Sequence, residues 1–288
     1  MANSHFGFGD CSITSADGQY AFIFERLTTK GLLLKNGKLL REINRSYYCA
    51  SVYEYPAAFI TFDGNTYLAH CPFEYCRLDF EEVETGEIVT NIAGRNPSDV
   101  FHSRLIASPD GRHLMVRGWA WHPVDKIELF NIASCFASPL MLDNATLWPD
   151  IGREMNTASF IDNKRVLIAS TDEEPFDDEE PNPFPPKSIA VWNVYTNEVS
   201  DAIKVNGEFG NLFAIDHTYA WDMYKYPKLI NITTGEIVGK CEEINSGVQC
   251  SSIMHSGIKN FAQICFNRHT SKIAIKIDSQ TIEVLTPA

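Results

Sequence analysis

Residues 106–132 read IASPDGRHLMVRGWAWHPVDKIELFNI, and this stretch contains the pattern that decides the fold. The apolar run that ends at 106–108 predicts a short strand. Pro109-Asp110-Gly111 predicts a tight turn, because proline fixes φ and glycine accepts a positive φ. A second strand is expected at 113–116, a loop with two tryptophans at 119–123, and an alternating third strand at 126–132. The stretch therefore predicts three short strands joined by a turn and a loop.

The rest of the chain repeats this pattern imperfectly. A second mark, Thr-Gly-Glu or Thr-Asn-Glu followed by apolar residues, occurs at 85–89, 196–199 and 234–238, always late in its unit. Two marks at a spacing of about 50 residues are typical of radial β repeats of about four strands. Six such units fit the 288 residues. The turn aspartates are 46, 47, 52 and 54 residues apart, at Asp17, Asp63, Asp110, Asp162 and Asp216.

The repeats resemble those of WD40-like and YVTN-like β-propellers over nearly the whole chain. The residues that carry this resemblance are Ser108-Pro109-Asp110-Gly111 and the strand endings Val191-Trp192-Asn193 and Leu129-Phe130-Asn131. The Gly-His and Trp-Asp dipeptides of strict WD40 repeats are missing at their usual places. The resemblance implies an all-β fold, with a single β-propeller domain over residues 1–288 and four strands in each blade. Six blades are expected, and five or seven are the alternatives.

Some fourth strands are weakly marked. We expect one at 87–92 in the second unit and another at 140–142 in the third. The sixth unit ends after three strands, so a segment within residues 2–9 is predicted to add its fourth strand and to hide the sheet edge.

Composition favours a cytoplasmic protein. The chain is 44% hydrophobic and 12% aromatic, which is enough for a packed core and excludes global disorder. The N-terminus lacks the basic and apolar regions of a secretory signal, and no apolar window is long enough to span a membrane. The eight scattered cysteines form no C-x-x-C pair and are expected to be buried thiols. The net charge of −13 disfavours nucleic acid and anionic lipid and favours a basic partner, although solubility alone explains many acidic proteins.

Aromatic residues gather on one class of loops. In a four-stranded blade, the loops between strands two and three and between blades share one face, and here these loops are long. Tyrosine and tryptophan give a large contact area at low entropic cost, so their concentration predicts a protein-binding face, the alternative being that they close the ends of the core. Besides the residues given below, these loops carry Tyr47, Tyr48, Tyr53, Tyr55, Phe73, Phe101, Leu147 and Pro149.

Residues 172–187, DEEPFDDEEPNPFPPK, form an acidic insert in one of these loops. Seven acids against one lysine give it a net charge of −6, and five prolines favour an extended conformation. It is either a solvated loop or an acidic arm that contacts a basic protein.

Motifs of known chemistry are missing. The sequence has no Walker A loop, no G-x-S-x-G and no H-x-H or H-E-x-x-H, and Gly7-Phe8-Gly9 lacks the third glycine of a dinucleotide fingerprint. No enzyme activity, cofactor or metal is therefore predicted. The alternatives are a six-bladed enzyme like the lactonases or sugar hydrolases, a ligand binder at the central channel, and a general interaction scaffold.

The function that the sequence favours is non-catalytic capture of a basic protein partner. A bacterial immunity protein that neutralises a toxin is the version that best suits the acidity and the irregular repeats. The predicted partner-binding residues are Tyr75, Trp119, Trp121, His122, Trp148, Asp172, Glu173, Glu174, Phe176, Asp177, Asp178, Glu179, Glu180, Phe184, Tyr224 and Tyr226.

Overall fold

A computed structural model describes residues 9–121, 124–171, 184–254 and 262–287. Over these residues the chain forms six antiparallel sheets of three to five strands, with one short α-helix and one 3-10 helix. The predicted all-β class and the six repeated units are confirmed. The chain forms two compact units, which are treated separately below, and the single domain over residues 1–288 stays a prediction.

The first unit comprises the described parts of Met1–Pro123, Glu128–Thr146 and Ile253–Ser256. The first sheet contains β1 (Cys11–Thr14), β2 (Tyr20–Phe24), β3 (Lys30–Lys35) and β4 (Lys38–Asn44). The second sheet contains β5 (Ala57–Phe62), β6 (Asn65–His70) and β7 (Asp79–Glu82). The third sheet contains β8 (Val100–Phe101), β9 (Ile106–Ala107), β10 (His113–Ala120) and β11 (Val124–Asn131).

The second unit comprises the described parts of Val124–Ile127, Leu147–Ser252 and Gly257–Ala288, so β11 contributes residues to both units. The fourth sheet contains β12 (Thr157–Phe160), β13 (Arg165–Ser170), β14 (Ser188–Asn193), β15 (Glu198–Val199) and β16 (Ile203–Lys204). The fifth sheet contains β17 (Leu212–Ala214), β18 (Tyr219–Asp222), β19 (Lys228–Asn231) and β20 (Glu236–Lys240). The sixth sheet contains β21 (Ile264–Asn267), β22 (Lys272–Lys276) and β23 (Ile282–Leu285). The predicted strand within residues 2–9 lies almost wholly outside the described residues.

The turns that identified the repeats have the same hydrogen bonds in different sheets. Ser15 Oγ donates to the carboxylate two residues on at 2.6 Å and accepts from the backbone N–H five residues on at 3.0 Å. Ser108 makes the same two bonds at 2.7 and 2.9 Å. Gly18 and Gly111 have φ angles of +71° and +68°, which glycine adopts without strain. The two turns therefore share the same hydrogen bonds as well as the same sequence pattern.

The fourth strand predicted at 140–142 is wrong. Helix α1 (Ile132–Ala137) follows β11, and a 3-10 helix (Pro139–Leu142) follows α1. The Asn131 side chain caps α1 by accepting from Ser134 N at 2.9 Å. The residues expected to form the strand belong instead to the 3-10 helix, which has Pro139 in its first turn and ends with the Asp143 N–H donating to the Leu140 carbonyl.

Phe136 fixes this helical segment against the second sheet. Its ring stacks on Phe62 with centroids 4.2 Å apart and an interplanar angle of 7°, and it lies 5.1 Å from Phe80. The segment thus covers apolar residues of the second sheet.

The strand predicted at 87–92 is also wrong, because only one isolated bridge, between Glu81 and Ile88, forms there. The Thr90 hydroxyl accepts from Phe80 N at 2.9 Å and donates to Asp79 Oδ1 at 2.8 Å. At this position β7 is therefore bonded to the side chain of Thr90, whereas a neighbouring strand would bond to it through backbone groups.

The first and second strands of the third unit also differ from prediction. Strand β9 lies within the first strand expected at 106–108, and an additional short strand, β8, precedes it, with Arg104 between the two at a φ of +47°. The second strand is longer than expected and extends to Ala120, so Trp119 belongs to β10 and not to a loop.

The eight cysteines all lie among the described residues and form no disulfide there, but only Cys71, Cys76 and Cys135 are buried, so the expectation of eight buried thiols is wrong for five of them. The single α-helix of the described residues has six residues, far short of the about 20 that cross a bilayer.

Candidate functional site

Four aromatic rings of the first unit form a stack that runs from its core to its surface. We call Trp119, Phe101, Tyr75 and Tyr48 the aromatic stack. Successive ring centroids are 3.9, 4.1 and 4.9 Å apart, with interplanar angles of 4°, 24° and 30°. Trp119 and Phe101 are 4% and 0% exposed, whereas Tyr48 is 50% exposed. The buried end therefore supports an exposed ring at the other end.

Trp121 stands nearly perpendicular to this stack. Its ring lies 5.3 Å from Phe101 at 84° and 6.5 Å from Tyr48 at 72°. Trp121 is 44% exposed. Tyr48 and Trp121 thus form an aromatic corner, with one ring plane set against the other, at the surface of the first unit.

Strand pairing holds the buried end of the stack. Trp119 of β10 lies directly opposite Phe101 of β8 in the sheet register. The adjacent Gly118 has no side chain, and a Cβ added there would lie 2.3 Å from the Phe101 carbonyl oxygen. Glycine is required at this position because β8 approaches β10 so closely.

A buried arginine holds the segment that carries Tyr48. Arg45, 3% exposed, donates to the carbonyl oxygens of Ala50 at 2.8 Å and Tyr53 at 3.1 Å. Its guanidinium also lies 4.4 Å from the Tyr53 ring centroid. The Tyr53 ring is itself 5.3 Å from Phe101, so the segment is fastened to the base of the stack.

An acidic residue lies beside the exposed end. The Tyr75 hydroxyl donates to Asp99 Oδ1 at 2.6 Å. Burial of the ring, together with this hydrogen bond, raises the pKa of the Tyr75 phenol, so the phenol remains a neutral donor. Asp99 is exposed and supplies negative charge beside Tyr75, and the exposed Glu74 precedes Tyr75 in the chain.

The predicted site residues fall into separate groups. Tyr75, Trp119 and Trp121 meet in the first unit, as described above. In the second unit Trp148 is 49% exposed, whereas Phe184 is 7% exposed and its carbonyl accepts from Arg153 Nε, so Phe184 contributes to the core. The residues that lie outside the described ranges are His122, Asp172, Glu173, Glu174, Phe176, Asp177, Asp178, Glu179 and Glu180.

Tyr224 and Tyr226 form another group in the second unit. Lys228 Nζ donates to the Tyr224 carbonyl and, at 3.3 Å, to the Tyr226 carbonyl, and it lies 4.2 Å from the Tyr226 ring centroid. The same ammonium is 2.9 Å from Asp222 Oδ2. One buried ion pair therefore fixes the loop that carries both tyrosines.

Tyr48 and Phe101 are functional candidates that the predicted site left out. Both were expected on inter-blade segments that share a face with Tyr75 and Trp121; Tyr48 lies on such a segment, whereas Phe101 belongs to β8. The expected position of Tyr48 and Phe101 between blades was a sequence signal that could have added them to the predicted site. Nothing in the sequence showed that their rings would stack.

Candidate chemistry is sparse in the described residues. They contain no group of three or more histidine, cysteine, aspartate or glutamate side chains placed to hold a metal ion. His70 Nε2 lies 2.9 Å from Glu81 Oε2, but both residues are buried, and Arg41 also binds Glu81. Because this histidine–carboxylate contact is buried between strands of the second sheet, we interpret it as a structural contact.

Comparison with known proteins shows the fold. No model of a known protein family matches this chain, and no curated protein matches it. The WD40 domain of Pan2 from Neurospora crassa is similar, with a TM-score of 0.51 and 8% identity over 89% of this chain and 68% of that chain. The chain is thus a six-bladed β-propeller that resembles WD40 domains, as the sequence predicted. Since 938 chains of solved structures match, the fold by itself assigns no function.

Proposed function

We propose that this protein is a non-catalytic interaction module that binds a basic protein through the aromatic corner of Tyr48 and Trp121. The observation that supports this most is the pairing of two half-exposed rings with a buried, tightly stacked base. Large aromatic side chains on a rigid support lose little conformational entropy when a partner covers them, and such residues dominate binding energy in protein interfaces.

Charge supports a basic partner. The exposed Asp99 bonds to Tyr75 of the aromatic stack, Glu74 precedes Tyr75 in the chain, and the whole chain has a net charge of −13. A negative field speeds the encounter with a cationic protein, and an arginine of the partner would fit against the ring faces of the corner.

The particular form that we propose is an immunity protein that neutralises a basic toxin. Its support is the strong acidity of the chain and the individual shape of each long loop, which suits one dedicated partner better than many. The acidic insert at 172–187 is proposed to add to the same attraction.

A pull-down from a lysate of the source cells tests this proposal. The wild type is compared with the Tyr48→Ala/Trp121→Ala double variant and with Tyr195→Ala, which removes a 52% exposed ring from the second unit. We expect one basic protein to be retained by the wild type and by Tyr195→Ala, and to be reduced about ten-fold or more on the double variant.

If the double variant retained that protein as well as the wild type does, the proposed binding site would be wrong. A specifically retained partner that is acidic would contradict the charge argument, and a partner without toxic activity would contradict the immunity role alone.

A further inference from the structure

The outer edge of the sixth sheet pairs with no strand of the described residues. This sheet has the order β21-β22-β23, whereas the first and fifth sheets each have a fourth strand beyond the third. An unpaired edge presents backbone N–H and C=O groups to which another strand can bond. The pairing of β23 with β22 determines which of these groups are open.

The open backbone groups belong to Ile282 and Val284. Ile277 N donates to the Thr281 carbonyl at 3.0 Å, so these two residues form a hydrogen-bonded pair at the end of the hairpin. Hydrogen-bonded and non-hydrogen-bonded pairs alternate along an antiparallel ladder, which makes the pairs at Ile282 and Val284 non-hydrogen-bonded. The N–H and C=O groups of both residues therefore point away from β22, towards the open edge.

One face of the sixth sheet is open as well. Ile282 and Val284 are two residues apart and so share a face, where they are 65% and 55% exposed. On the opposite face, Ile273 and Ile275 are both 0% exposed and belong to a core cluster with residues of the fifth sheet. The sheet is thus anchored through one face and presents apolar side chains on the other.

Two lysines place positive charge on the open face. Lys276 lies opposite Ile282 in the register, and Lys272, four residues before it, is on the same face. Both lysines are exposed, and neither forms an ion pair with a described residue. The one acidic residue of β22 and β23, Glu283, lies on the opposite face. The open face therefore attracts acidic side chains.

We propose that the edge of β23 binds an extended acidic segment of a partner protein as a fourth strand. The rows of side chains across β22 and β23 define this segment. An acid fits beside the row of Lys276 and Ile282, and an apolar residue fits beside the row of Ala274 and Val284. A second acid fits beside the row of Lys272. The segment therefore has the pattern acid-x-apolar-x-acid, with its acids four residues apart like the lysines.

The charges favour this occupant over two others. A strand within residues 2–9 is predicted for the same edge, but these residues read ANSHFGFG and contain no acid to pair with the lysines. A second copy of the chain, paired through its own β23, would bring only apolar and threonine side chains to the lysine face. The edge lies in the second unit and is independent of the proposed function, because it uses no residue of the aromatic corner.

Nuclear magnetic resonance titration of the full chain tests this site with the blocked peptide Thr-Glu-Thr-Val-Thr-Glu-Thr as the probe. The blocked peptide Thr-Thr-Glu-Val-Glu-Thr-Thr has the same composition and charge, but its acids are two residues apart and cannot lie beside both lysines. Thr-Lys-Thr-Val-Thr-Lys-Thr reverses the charge. We expect the probe to shift the backbone amide signals of Ile282 and Val284 and to bind at least about five-fold more tightly than either control peptide.

The variants Val284→Pro and Val284→Thr test the backbone edge. Proline removes the N–H that points to the open edge but no hydrogen bond to β22, so the sheet should remain intact. We expect Val284→Pro to weaken probe binding at least about ten-fold and Val284→Thr to change it less than about two-fold. Unfolding midpoints equal to that of the wild type show that both variants fold.

The double variant Lys272→Glu/Lys276→Glu tests the charges. It should bind the lysine peptide more tightly than the probe, because its face has the opposite charge. Lys164→Glu/Lys204→Glu is the matched control, since it changes the net charge equally at two other exposed lysines of the second unit. This control should keep the preference of the wild type for the probe.

The proposal is overturned if the probe leaves the signals of Ile282 and Val284 unchanged, if the peptide with closer acids binds as tightly, if Val284→Pro binds like the wild type, or if the two double variants behave alike. Probe binding that appears only after deletion of residues 2–8 would assign the edge to the N-terminal segment. A dependence of the same signals on protein concentration, without peptide, would assign it to a second copy. Either result contradicts the proposal.

Discussion

Arg95 joins two buried carboxylates in the first unit. Its side chain is 2% exposed and lies 2.9 Å from Asp79 Oδ1 and 2.5 Å from Asp143 Oδ1. It also donates to the Leu78 carbonyl at 2.9 Å. A buried charge that loses its partner is costly, so this one residue has a large effect on stability.

The Arg95→Met variant is therefore expected to lower the free energy of unfolding by about 3–5 kcal/mol. Lys30→Met is the control, because Lys30 pairs with Glu42 at the surface and its loss should barely change stability. Urea unfolding measures both. Similar midpoints for the two variants would show that the buried network contributes little.

His102 makes stability depend on pH. Burial lowers the pKa of its imidazole from 6.5 to about 4, although the ring Nε2–H donates to the Cys76 carbonyl at 3.0 Å. The unfolded chain binds a proton between these pH values that the folded chain does not. The contribution is thus fully present above pH 6.5 and is lost as the pH falls towards 4, by up to about 3 kcal/mol.

The His102→Gln variant keeps a side-chain donor but cannot titrate. Its free energy of unfolding should fall less steeply than that of the wild type as the pH is lowered from 6.5 to 4. Chemical unfolding at a series of pH values measures the difference, and parallel curves for the two proteins would be inconsistent with a buried neutral histidine.

At the scale of the elements, the Ser-x-Asp-Gly turns are the most local features of the fold. Gly111 has a φ of +68°, and no atom lies within 4 Å of a Cβ added there, so a substitution costs backbone strain alone. Gly111→Ala is expected to lower the free energy of unfolding by about 1–2 kcal/mol.

Gly239→Ala is the matched control for this turn. Its added Cβ would meet only Leu229 Cβ, at 3.7 Å, and its φ is not positive, so the variant should be neutral or slightly more stable. Thermal unfolding compares the two alanine variants. A destabilisation of the same size at both positions would refute the role of the left-handed turn.

Helix α1 belongs to the same scale, but its position depends on packing. Phe136 stacks on Phe62 and contacts Tyr67, with centroids 4.2 and 4.7 Å apart. Phe136→Ala should lower the free energy of unfolding by about 3 kcal/mol, whereas Leu140→Ala, at a side chain 48% exposed, should change it little. Denaturant titration distinguishes these outcomes, and an equal, small effect of both changes would contradict the packing role of α1.

The sequence predicts the elements whose contacts are local. The turns at Gly18 and Gly111 were predictable because their contacts lie within a few residues. The serine hydroxyl bonds to the aspartate carboxylate, and glycine accepts the positive φ. The strand expected at 87–92 failed because Thr90 bonds to β7 through its side chain. The strand expected at 140–142 failed because these residues belong to a 3-10 helix whose Leu142 is buried in the core cluster that contains Phe80. Both outcomes depend on how neighbouring segments meet.

The candidate site was predictable only in part for the same reason. Aromatic residues on one class of loops indicated a surface, and Trp121 and Tyr75 do meet there. However, Trp119 and Phe101 form the buried base because β8 pairs with β10. The side chains of two strands do not by themselves show that the strands will pair. Tyr48 joins them through a loop that Arg45 fastens from the interior.

At the scale of the whole molecule, the fold and the function have different sources. The likeness to a WD40 domain at 8% identity shows the fold, and the irregular repeats of the sequence form its six sheets. The proposed function depends instead on the aromatic corner and on the net charge of −13. If charge steers the encounter, the association rate with the partner should fall as ionic strength rises, while the dissociation rate changes less.

The affinity of the captured partner for the aromatic corner is the most direct test of the central claim. Titration calorimetry at constant salt would give its Kd for the wild type, for Tyr48→Ala/Trp121→Ala and for Tyr195→Ala. The account predicts a Kd at least about ten-fold weaker for the double variant and unchanged for Tyr195→Ala. A double variant that binds as tightly as the wild type would contradict it.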